Sequence, residues 1–373
     1  MLSSSLNFNN LDRHKDYQHV YYNVDIVNAR TTSTGQDDPI ASFSETRDTS
    51  IVSDASKYKM SIIRFTMNGI KDLPLFIPII EPDQTDRNKT IYQASMKSGD
   101  TIITENIIYG PENGNLLLSA QTQFNQQQNF TDEYYYVHTY SHFVKLVNNT
   151  FSSIITQLNS TLTKTFIPPV LVYNTDSKKF DFYIPTGDNG DYSIFFDRNL
   201  YNLFSNYPSV RNLNNNNLAY EILAEDPLGL NEVSIKGNTY IKLQQEYNSI
   251  GTFWSPIESI VFTSNLLPIV SEGVAPTSVY GKSNISTPVS SATNFEPIIT
   301  DIALTLDDAY NYKEFISYIP TSQYRYVSLT NSQQAIKSIN VNIFWKCRYN
   351  GQLIPLRMSN LSNISLKFLF EKK

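Results

Sequence analysis

The chain has 373 residues, of which 40% are hydrophobic and 17% charged, so it is long enough for one large or two modest domains with a real core. Its net charge of −6 and its pI near 5.3 argue against a protein that coats nucleic acid over its whole surface. The single cysteine, Cys347, excludes an intrachain disulfide framework.

The first part of the chain has the pattern of β-strands. Residues 1–18 are polar with mixed charge and predict an arm outside the core. Apolar and polar residues alternate over residues 20–26, which predicts a strand with one buried face. Residues 58–67 are apolar on both faces apart from Lys59 and Arg64 and predict a central strand. Residues 73–80 are apolar but contain two prolines, which predicts an extended edge segment.

The middle of the chain contains the clearest helix. Apolar residues recur at helical spacing from Phe143 to Leu162, and Ser141 is placed to cap the start. Residues 170–173 and 180–184 flank a turn and predict a hairpin. Residues 197–206 predict a second, short helix, which Pro208 follows.

The strand pattern resumes from about residue 235, except that residues 271–295 predict a long exposed loop. Apolar residues alternate with others over 339–345 and again over 364–370. Between these runs Asn350-Gly351 predicts a type I′ turn, and Pro355 marks the return strand as an edge or bulged strand. We therefore predict a three-stranded antiparallel unit at the end of the chain.

The change of period from 2 to 3.6 and back predicts a mainly β fold in which one sandwich is interrupted by a helix-containing insertion. We expect an arm at 1–18, a sandwich built from 19–85 and 236–373, and an insertion at 86–235. Strands from the two ends of the chain should then pair, so residues 20–27 should not pair only within the first 150 residues.

The end of the chain is basic. Residues 337–373 contain seven basic side chains and one acidic one, a charge of +6, while the remainder carries −12. Two interpretations stay open: scattered, solvated lysines, or a basic surface that faces an anionic partner or an acidic neighbouring subunit. Lys346, Arg348 and Arg357 flank the predicted hairpin and are the candidate contact residues for a subunit or for the particle interior.

No pattern in the chain points to chemistry. His138 and His142 have the i, i+4 spacing of a metal pair, but a third ligand is not evident. The motifs GxSxG, HExxH, Walker A and GxGxxG are absent. We therefore expect no enzymatic activity, no metal and no cofactor. Since the sequence shows neither a signal peptide nor an apolar run of membrane-spanning length, we expect synthesis in the cytoplasm.

Several segments spread over nearly the whole chain carry a family resemblance: 24–28, 39–47 (PIASFSETR), 58–65 running into 73–78, 135–147, 181–208, 254–270 (WSPIESIVFTSNLLPIV), 316–327 and 345–370. In these the chain resembles the penton (minor capsid) proteins of virophages and Polinton-like viruses, of the Sputnik type. The resemblance implies a single jelly roll with an inserted upper domain. It also implies a structural capsid protein that forms homopentamers at the icosahedral vertices of a small DNA virus, beside the major capsid protein.

Two alternatives remain at this stage. A secreted or surface carbohydrate-binding β-sandwich protein would share the aromatic-rich strands, but the sequence lacks an export signal. A β-sandwich hydrolase would need an acid/base pair that the sequence does not show. Within the capsid interpretation the basic end could meet packaged DNA without reading its bases, or acidic side chains of other subunits. We favour subunit contacts, because the cations are spread out and no exposed aromatic residues are expected between them.

Overall fold

The computed structural model describes residues 17–30, 38–68, 73–81, 86–118, 128–226, 228–247, 254–274, 278–280, 286–288, 294–303, 315–320, 325–330 and 333–373. Contacts divide the chain into two units, Met1–Leu73 with Ile257–Lys373, and Pro74–Pro256. We call them the sandwich unit and the inserted unit. The predicted arm lies outside the described residues except for Tyr17 and Gln18.

Strands dominate the described chain. Up to the first helix they are β1 (His19–Val27), β2 (Ser42–Thr46), β3 (Tyr58–Asn68), β4 (Lys89–Ser98) and β5 (Thr101–Ile108). Then follow α1 (Tyr140–Leu162), β6 (Val170–Asn174), β7 (Lys179–Pro185), β8 (Ser193–Phe196), α2 (Arg198–Leu203), β9 (Ser209–Arg211), β10 (Tyr220–Ile222), β11 (Glu232–Ile235) and β12 (Asn238–Gln244). The rest are β13 (Ile257–Thr263), β14 (Glu272–Val274), β15 (Ser278–Tyr280), β16 (Ser286–Pro288), β17 (Asn294–Glu296), β18 (Ile298–Ala303), β19 (Phe315–Tyr318), β20 (Val327–Ser328), β21 (Ser338–Cys347), β22 (Leu353–Pro355) and β23 (Asn363–Lys372).

The sandwich unit consists mainly of two five-stranded sheets. Sheet 1 has the order β1-β23-β3-β19, with β20 beside β3, and sheet 2 has the order β18-β13-β21-β2, with β22 beside β21. The buried rings of Phe65 in sheet 1 and Phe262 in sheet 2 meet edge to face, with their centres 5.0 Å apart. The inner faces of the two sheets therefore share one core, as in a β-sandwich.

The two ends of the chain pair in sheet 1, as predicted. β1 runs antiparallel to β23 in unbroken register from His19 opposite Glu371 to Val27 opposite Asn363. Alternation along β1 buries Tyr22 and Val24 and exposes Tyr21, because successive side chains of a strand point to opposite faces.

The contacts divide the chain at 73/74 and 256/257, whereas the sequence placed the boundaries at 85/86 and 235/236. Two observations account for the difference. Phe76 bridges to Val137, which ties residues 74–80 to the inserted unit. β12 pairs with β7, from Tyr240 opposite Pro185 to Gln244 opposite Asp181. A strand pattern identifies β12 as a strand but carries no information about its partner.

The predicted three-stranded unit at the end of the chain is wrong. β21 and β22 do pair, but β23 lies in the other sheet, between β1 and β3. The chain crosses between the sheets at residues 359–362, where Leu361 adopts a φ of 63°. All three strands were located correctly, so the error concerns only which strands are neighbours.

The turn between β21 and β22 also differs from the prediction. A type I′ turn needs positive φ at both central residues, but of the pair only Gly351 has it, at 70°. The loop spans residues 348–351 and is closed by two backbone bonds, from Gly351 N to Cys347 O and from Cys347 N to Gln352 O. Gly351 therefore still supplies the residue with a left-handed backbone conformation, but in a four-residue loop and not in a two-residue turn.

The segment 271–295 also differs from the prediction. It was predicted as a loop, but it includes β14 paired with β17 and β15 paired with β16.

The inserted unit packs helix α1 against two sheets. Sheet 3 has the order β5-β4-β8-β10-β9 and sheet 4 the order β11-β12-β7-β6. α1 contacts β4 and β5 of sheet 3 and β6 of sheet 4, and its residues Phe151 and Ile155 are buried, as predicted. The helix starts earlier than predicted, because Thr139 rather than Ser141 is its N-cap and accepts a bond from His142 N.

An aromatic cluster forms much of the core of the inserted unit. Trp254 is fully buried, its ring stacks on Phe180 at 5.3 Å, and its Nε1 donates to Leu203 O. Four further rings surround it at 4.9–5.7 Å, those of Phe76, Tyr140, Phe143 and Phe204. Many of the aromatic side chains are thus buried in a core.

Candidate functional site

The candidate contact residues lie at the outer side of sheet 2. Lys346 Nζ lies 3.1 Å from Glu258 Oε2 on β13. Arg348 Nη2 donates to Ile257 O at 3.2 Å, so it lies beside the same end of β13. Arg357, which follows β22, donates from Nη1 to Asp38 O at 3.2 Å. The structure therefore brings Lys346 and Arg348 together and places Arg357 apart from them.

Each of the three cations thus has a partner within its own unit. The Lys346–Glu258 pair is a surface pair, with side chains 34% and 49% exposed. Pairs of this kind contribute about 0–1 kcal/mol, since water already solvates both charges. The Lys346–Glu258 pair therefore adds little to the stability of the sandwich unit.

Charge is distributed unevenly between the two units. The sandwich unit contains 18 basic and 17 acidic side chains, a net charge of +1, while the inserted unit contains 11 and 18, a net charge of −7. The +6 of residues 337–373 is offset by −5 from the remainder of the sandwich unit. The negative surplus of the chain belongs to the inserted unit.

Sheet 1 presents cations and aromatic rings on its outer face, which the sequence analysis did not expect. Lys367 on β23 lies opposite Arg64 on β3, and its Nζ is 5.0 Å from the ring centre of the exposed Tyr21. Such a contact is a cation–π interaction. Arg64 Nε is buried without a hydrogen-bond partner among the described residues. Like charges opposite each other destabilise a strand pair, and the guanidinium of Arg64 is satisfied in part by Ser365, to whose Oγ its Nη2 donates at 3.4 Å.

One carboxylate interrupts that face near the end of β23. Glu371 lies 3.2 Å from Lys59 Nζ and 3.6 Å from His19 Nε2. A hydrogen bond from Tyr326, together with Lys59 and His19, lowers the pKa of Glu371. Lys59 Nζ also lies 3.8 Å from the ring centre of Tyr326. The four side chains form one network across β1, β23 and β3.

The histidines with metal-like spacing instead fix the start of α1. His142 Nε2 lies 2.6 Å from Gly110 O, and the backbone N–H of His138 donates to Glu112 Oε2 at 2.8 Å. Thr139 donates its hydroxyl proton to the other oxygen of Glu112. Burial acts to raise the pKa of Glu112, but these hydrogen bonds outweigh it, so the pKa is lowered. The described residues contain no group of three or more side chains that could hold a metal ion.

Side-chain amides of the inserted unit bind backbone groups, which no sequence pattern predicted. Asn148 on α1 donates to Leu171 O and accepts from Leu171 N, both at 2.9 Å. Asn159 binds Phe166 in the same two-bond manner. A carboxamide offers both a donor and an acceptor, so it can bond to the backbone N–H and C=O of one residue at a sheet edge, as a neighbouring strand would. The only sequence signal for Asn148 was its polar position near an apolar stripe.

A comparison with protein families identifies the chain. The model of the Sputnik minor capsid protein V18/19 family matches residues 20–372, which is nearly the whole chain. The chain belongs to this family. Among curated proteins it matches the uncharacterized protein V18 of Sputnik virophage, with 26% identity over 114 residues, 30% of this chain and 68% of that protein.

Two solved structures have the same fold as this chain. A chain in the cryo-EM structure of the Sputnik virophage matches with a TM-score of 0.78 at 20% identity, covering 96% of this chain and 99% of that one. The mavirus penton protein matches with a TM-score of 0.65 at 18% identity, covering 96% and 100%. The predicted fold, one jelly-roll sandwich with a helix-containing insertion, is confirmed. The chain is therefore a virophage minor capsid protein, and its fold matches that of a penton protein.

Within the described residues, no helix is both long and apolar enough to cross a membrane.

Proposed function

We propose that the chain forms homopentamers at the icosahedral vertices of a small DNA virus, where each pentamer contacts the neighbouring major capsid protein. The observation that carries this proposal is a fold match along the full length. A protein named as a penton protein is covered over 100% of its length by a chain that builds one sandwich from both of its ends. The insertion is included in that match, so the likeness extends beyond the sandwich.

The location of the aromatic residues weakens the carbohydrate-binding alternative. That alternative depended on aromatic-rich strands, but large rings such as those of Phe65, Phe262 and Trp254 are fully buried. Buried rings cannot stack on a sugar. Synthesis in the host cytoplasm remains part of the proposal, supported by a lone cysteine that is itself buried.

The proposal assigns Lys346, Arg348 and Arg357 to contacts between capsid subunits rather than to packaged DNA. A DNA-facing unit needs a surplus of positive charge to release counterions from the phosphates. The sandwich unit carries only +1, so its charge gives DNA contact little support. Acidic neighbours are a better match for one pair of partly exposed cations, Lys346 and Arg348, with Arg357 apart from them.

Native mass spectrometry of the purified chain tests the vertex role. We expect a complex of five copies, and a protein that stays monomeric at all concentrations would contradict the proposal. Particle assembly with the variant K346Q/R348Q/R357Q tests the role of the cations. We expect particles that fail to close at their vertices. Closed particles with reduced DNA content would show that these residues face the genome instead.

A further inference from the structure

The first strand of the sandwich unit has an open edge. Backbone bonds join β1 to its neighbour at both ends: Lys372 N donates to Gln18 O, and Asn28 N donates to Ser362 O. In an antiparallel pair, bonded residues alternate with residues whose backbone groups point away. Even-numbered residues of β1 therefore bond to β23. The N–H and C=O groups of Tyr21, Asn23 and Asp25 point away from the sheet.

No described residue bonds to these outward groups of Tyr21, Asn23 and Asp25. β1 is nine residues long and occupies the end position in sheet 1. Its register with β23 is continuous, and it contains neither proline nor lysine. Short length, bulges, prolines and charged side chains, lysine above all, are the usual protections of an edge strand, and of these β1 has only the single charge of Asp25.

Other edges of the molecule are better protected. Leu171 on β6, the end strand of sheet 4, has its outward N–H and C=O bonded by Asn148. β5, the end strand of sheet 3, shows a register break between Lys89 and Gln93 of its partner β4. β2, β9, β11 and β18 have three to six residues each. An edge as long and regular as β1 is a template for another strand.

We propose that the free edge of β1 binds residues 2–9 of a second copy of this chain, an inference that rests on the proposed pentamer. A closed ring is built from a heterologous contact, in which one patch of each subunit meets a different patch of the next. The edge of β1 would be one patch, and the segment before Tyr17 would be the other.

The path of the chain favours a second copy over the same copy. Tyr17 O accepts a hydrogen bond from the hydroxyl of Tyr58, the first residue of β3. Sheet 1 has the order β1-β23-β3, so the carbonyl of Tyr17 faces the side of β3 and not the free edge of β1. To reach its own edge, the preceding segment would have to reverse around the end of β1.

The sequence and length of this segment suit an added strand. Leu2, Leu6 and Phe8 occupy even positions, and all odd positions from 3 to 9 are Ser or Asn; apart from Ser4, this is the alternation of a strand with one apolar face. Sixteen residues precede Tyr17, and when extended they span up to about 53 Å. The edge of β1 is roughly 30 Å long. The segment can therefore cross from one subunit and still cover most of the edge on the next.

The variant Asn23→Pro tests this proposal, with Asn23→Ala as its matched control. The N–H of Asn23 is not used in the ladder with β23, so proline at this position blocks an added strand while sparing the bonds to β23. Sedimentation velocity over a range of concentrations should show that N23A assembles like the parent chain. For N23P the concentration of half-assembly should rise at least tenfold, with thermal unfolding of the subunit within a few degrees of N23A.

Deletion of residues 2–11 gives the complementary measurement. It should weaken assembly as N23P does, and the two changes combined should be no worse than either alone, because both remove one contact. If N23P or the deletion variant still assembles like N23A, the proposal is overturned while the pentamer stands. If the parent chain itself never assembles, both the pentamer and this contact are overturned.

Discussion

The two units of this capsid protein achieve stability in different ways. In the sandwich unit, long ladders join segments that are far apart in sequence, as in β23, which lies between β1 and β3 over ten residues. In the inserted unit many contacts are more local: α1, β6, β7, β8 and α2 follow one another and pack around shared rings such as Phe180 and Trp254. The sandwich depends on register, while the insertion depends on a filled aromatic core and on side-chain amides.

This contrast predicts which substitutions each unit tolerates. A ladder distributes its stability over many backbone bonds, and its outward-facing side chains can change freely. A core built around a few large rings loses much of its stability with one of them, since the surroundings relax only partly around a cavity. The units differ in charge as well, because the inserted unit carries −7 and the sandwich unit +1.

The largest expected effect is in the core of the inserted unit. Phe151 is fully buried on α1, and its ring stacks near those of Phe182 and Phe196. Phe151→Ala should reduce the free energy of unfolding by about 3–5 kcal/mol. Hydrogen exchange followed by mass spectrometry should show faster exchange in α1 and its flanking strands. The exposed neighbour Ser152→Ala is the control and should change little. Equal stability of the two variants would contradict the packing described for α1.

Much of this fold could be predicted from sequence, because strands and helices leave a local period. β1, β3, β7, α1 and α2 were all located within a few residues. Strand partners were predicted less well, since periodicity says which face is buried but not which strand lies alongside. β12 was assigned to the sandwich and β23 to a hairpin with β22 for that reason. The pairing of β1 with the end of the chain came from the order of periods along the sequence.

The functional residues were harder to predict than the fold. Lys346, Arg348 and Arg357 were chosen by charge, and their partners Glu258, Ile257 and Asp38 lie 88, 91 and 319 residues away. The open edge of β1 can be recognised only once its neighbours are known. Some side-chain amides, such as those of Asn148 and Asn159, bind backbone groups of residues further along the chain, and no local pattern marks them.

Asn148→Ala should give the next largest effect and tests the role of these amides. The substitution leaves the N–H and C=O of Leu171 without their partner on α1. Leaving buried backbone groups unsatisfied costs about 1–3 kcal/mol. Denaturant titration should therefore show a loss of stability in that range, while the exposed neighbour Asn149→Ala, which differs only in position, should be nearly neutral. A similar loss in both variants would mean that helix propensity, and not the two hydrogen bonds between Asn148 and Leu171, accounts for the change.

A smaller, pH-dependent effect is expected at Glu112, which binds the start of α1 through His138 N and the Thr139 hydroxyl. Glu112→Gln removes the charge that these donors favour at a helix N-terminus, at a cost of about 1 kcal/mol at pH 7. The folded-state pKa is lowered from 4.5, so the carboxylate stabilises the fold above that pH. Its contribution is lost as the pH falls through the folded-state pKa.

The stability difference between parent chain and E112Q should consequently be present at neutral pH and shrink below about pH 4.5. Thermal unfolding of both proteins at pH 7 and at pH 3 measures it. Asp132→Asn is a suitable control, because Asp132 caps a separate turn by accepting from Tyr134 N. A difference that stays constant over this pH range would show that the carboxylate charge is not what holds the loop to the helix.

The smallest effect on stability is expected at Lys346, and its size decides how an assembly defect is interpreted. The Lys346–Glu258 pair is at least one-third exposed at both side chains, so Lys346→Gln should cost less than about 1 kcal/mol. Glu258→Gln removes the other half of the pair and is the control for the pair itself.

The assembly of the two variants distinguishes two roles of Lys346. If K346Q unfolds like the parent chain but impairs assembly while E258Q does not, Lys346 binds a partner outside its own unit. If both variants impair assembly equally, the ion pair acts by fixing the local shape of β13 and β21. A large loss of stability in K346Q would instead place the lysine in the folding of the sandwich, and the contrast drawn between tolerant ladders and an intolerant aromatic core would fail at this position.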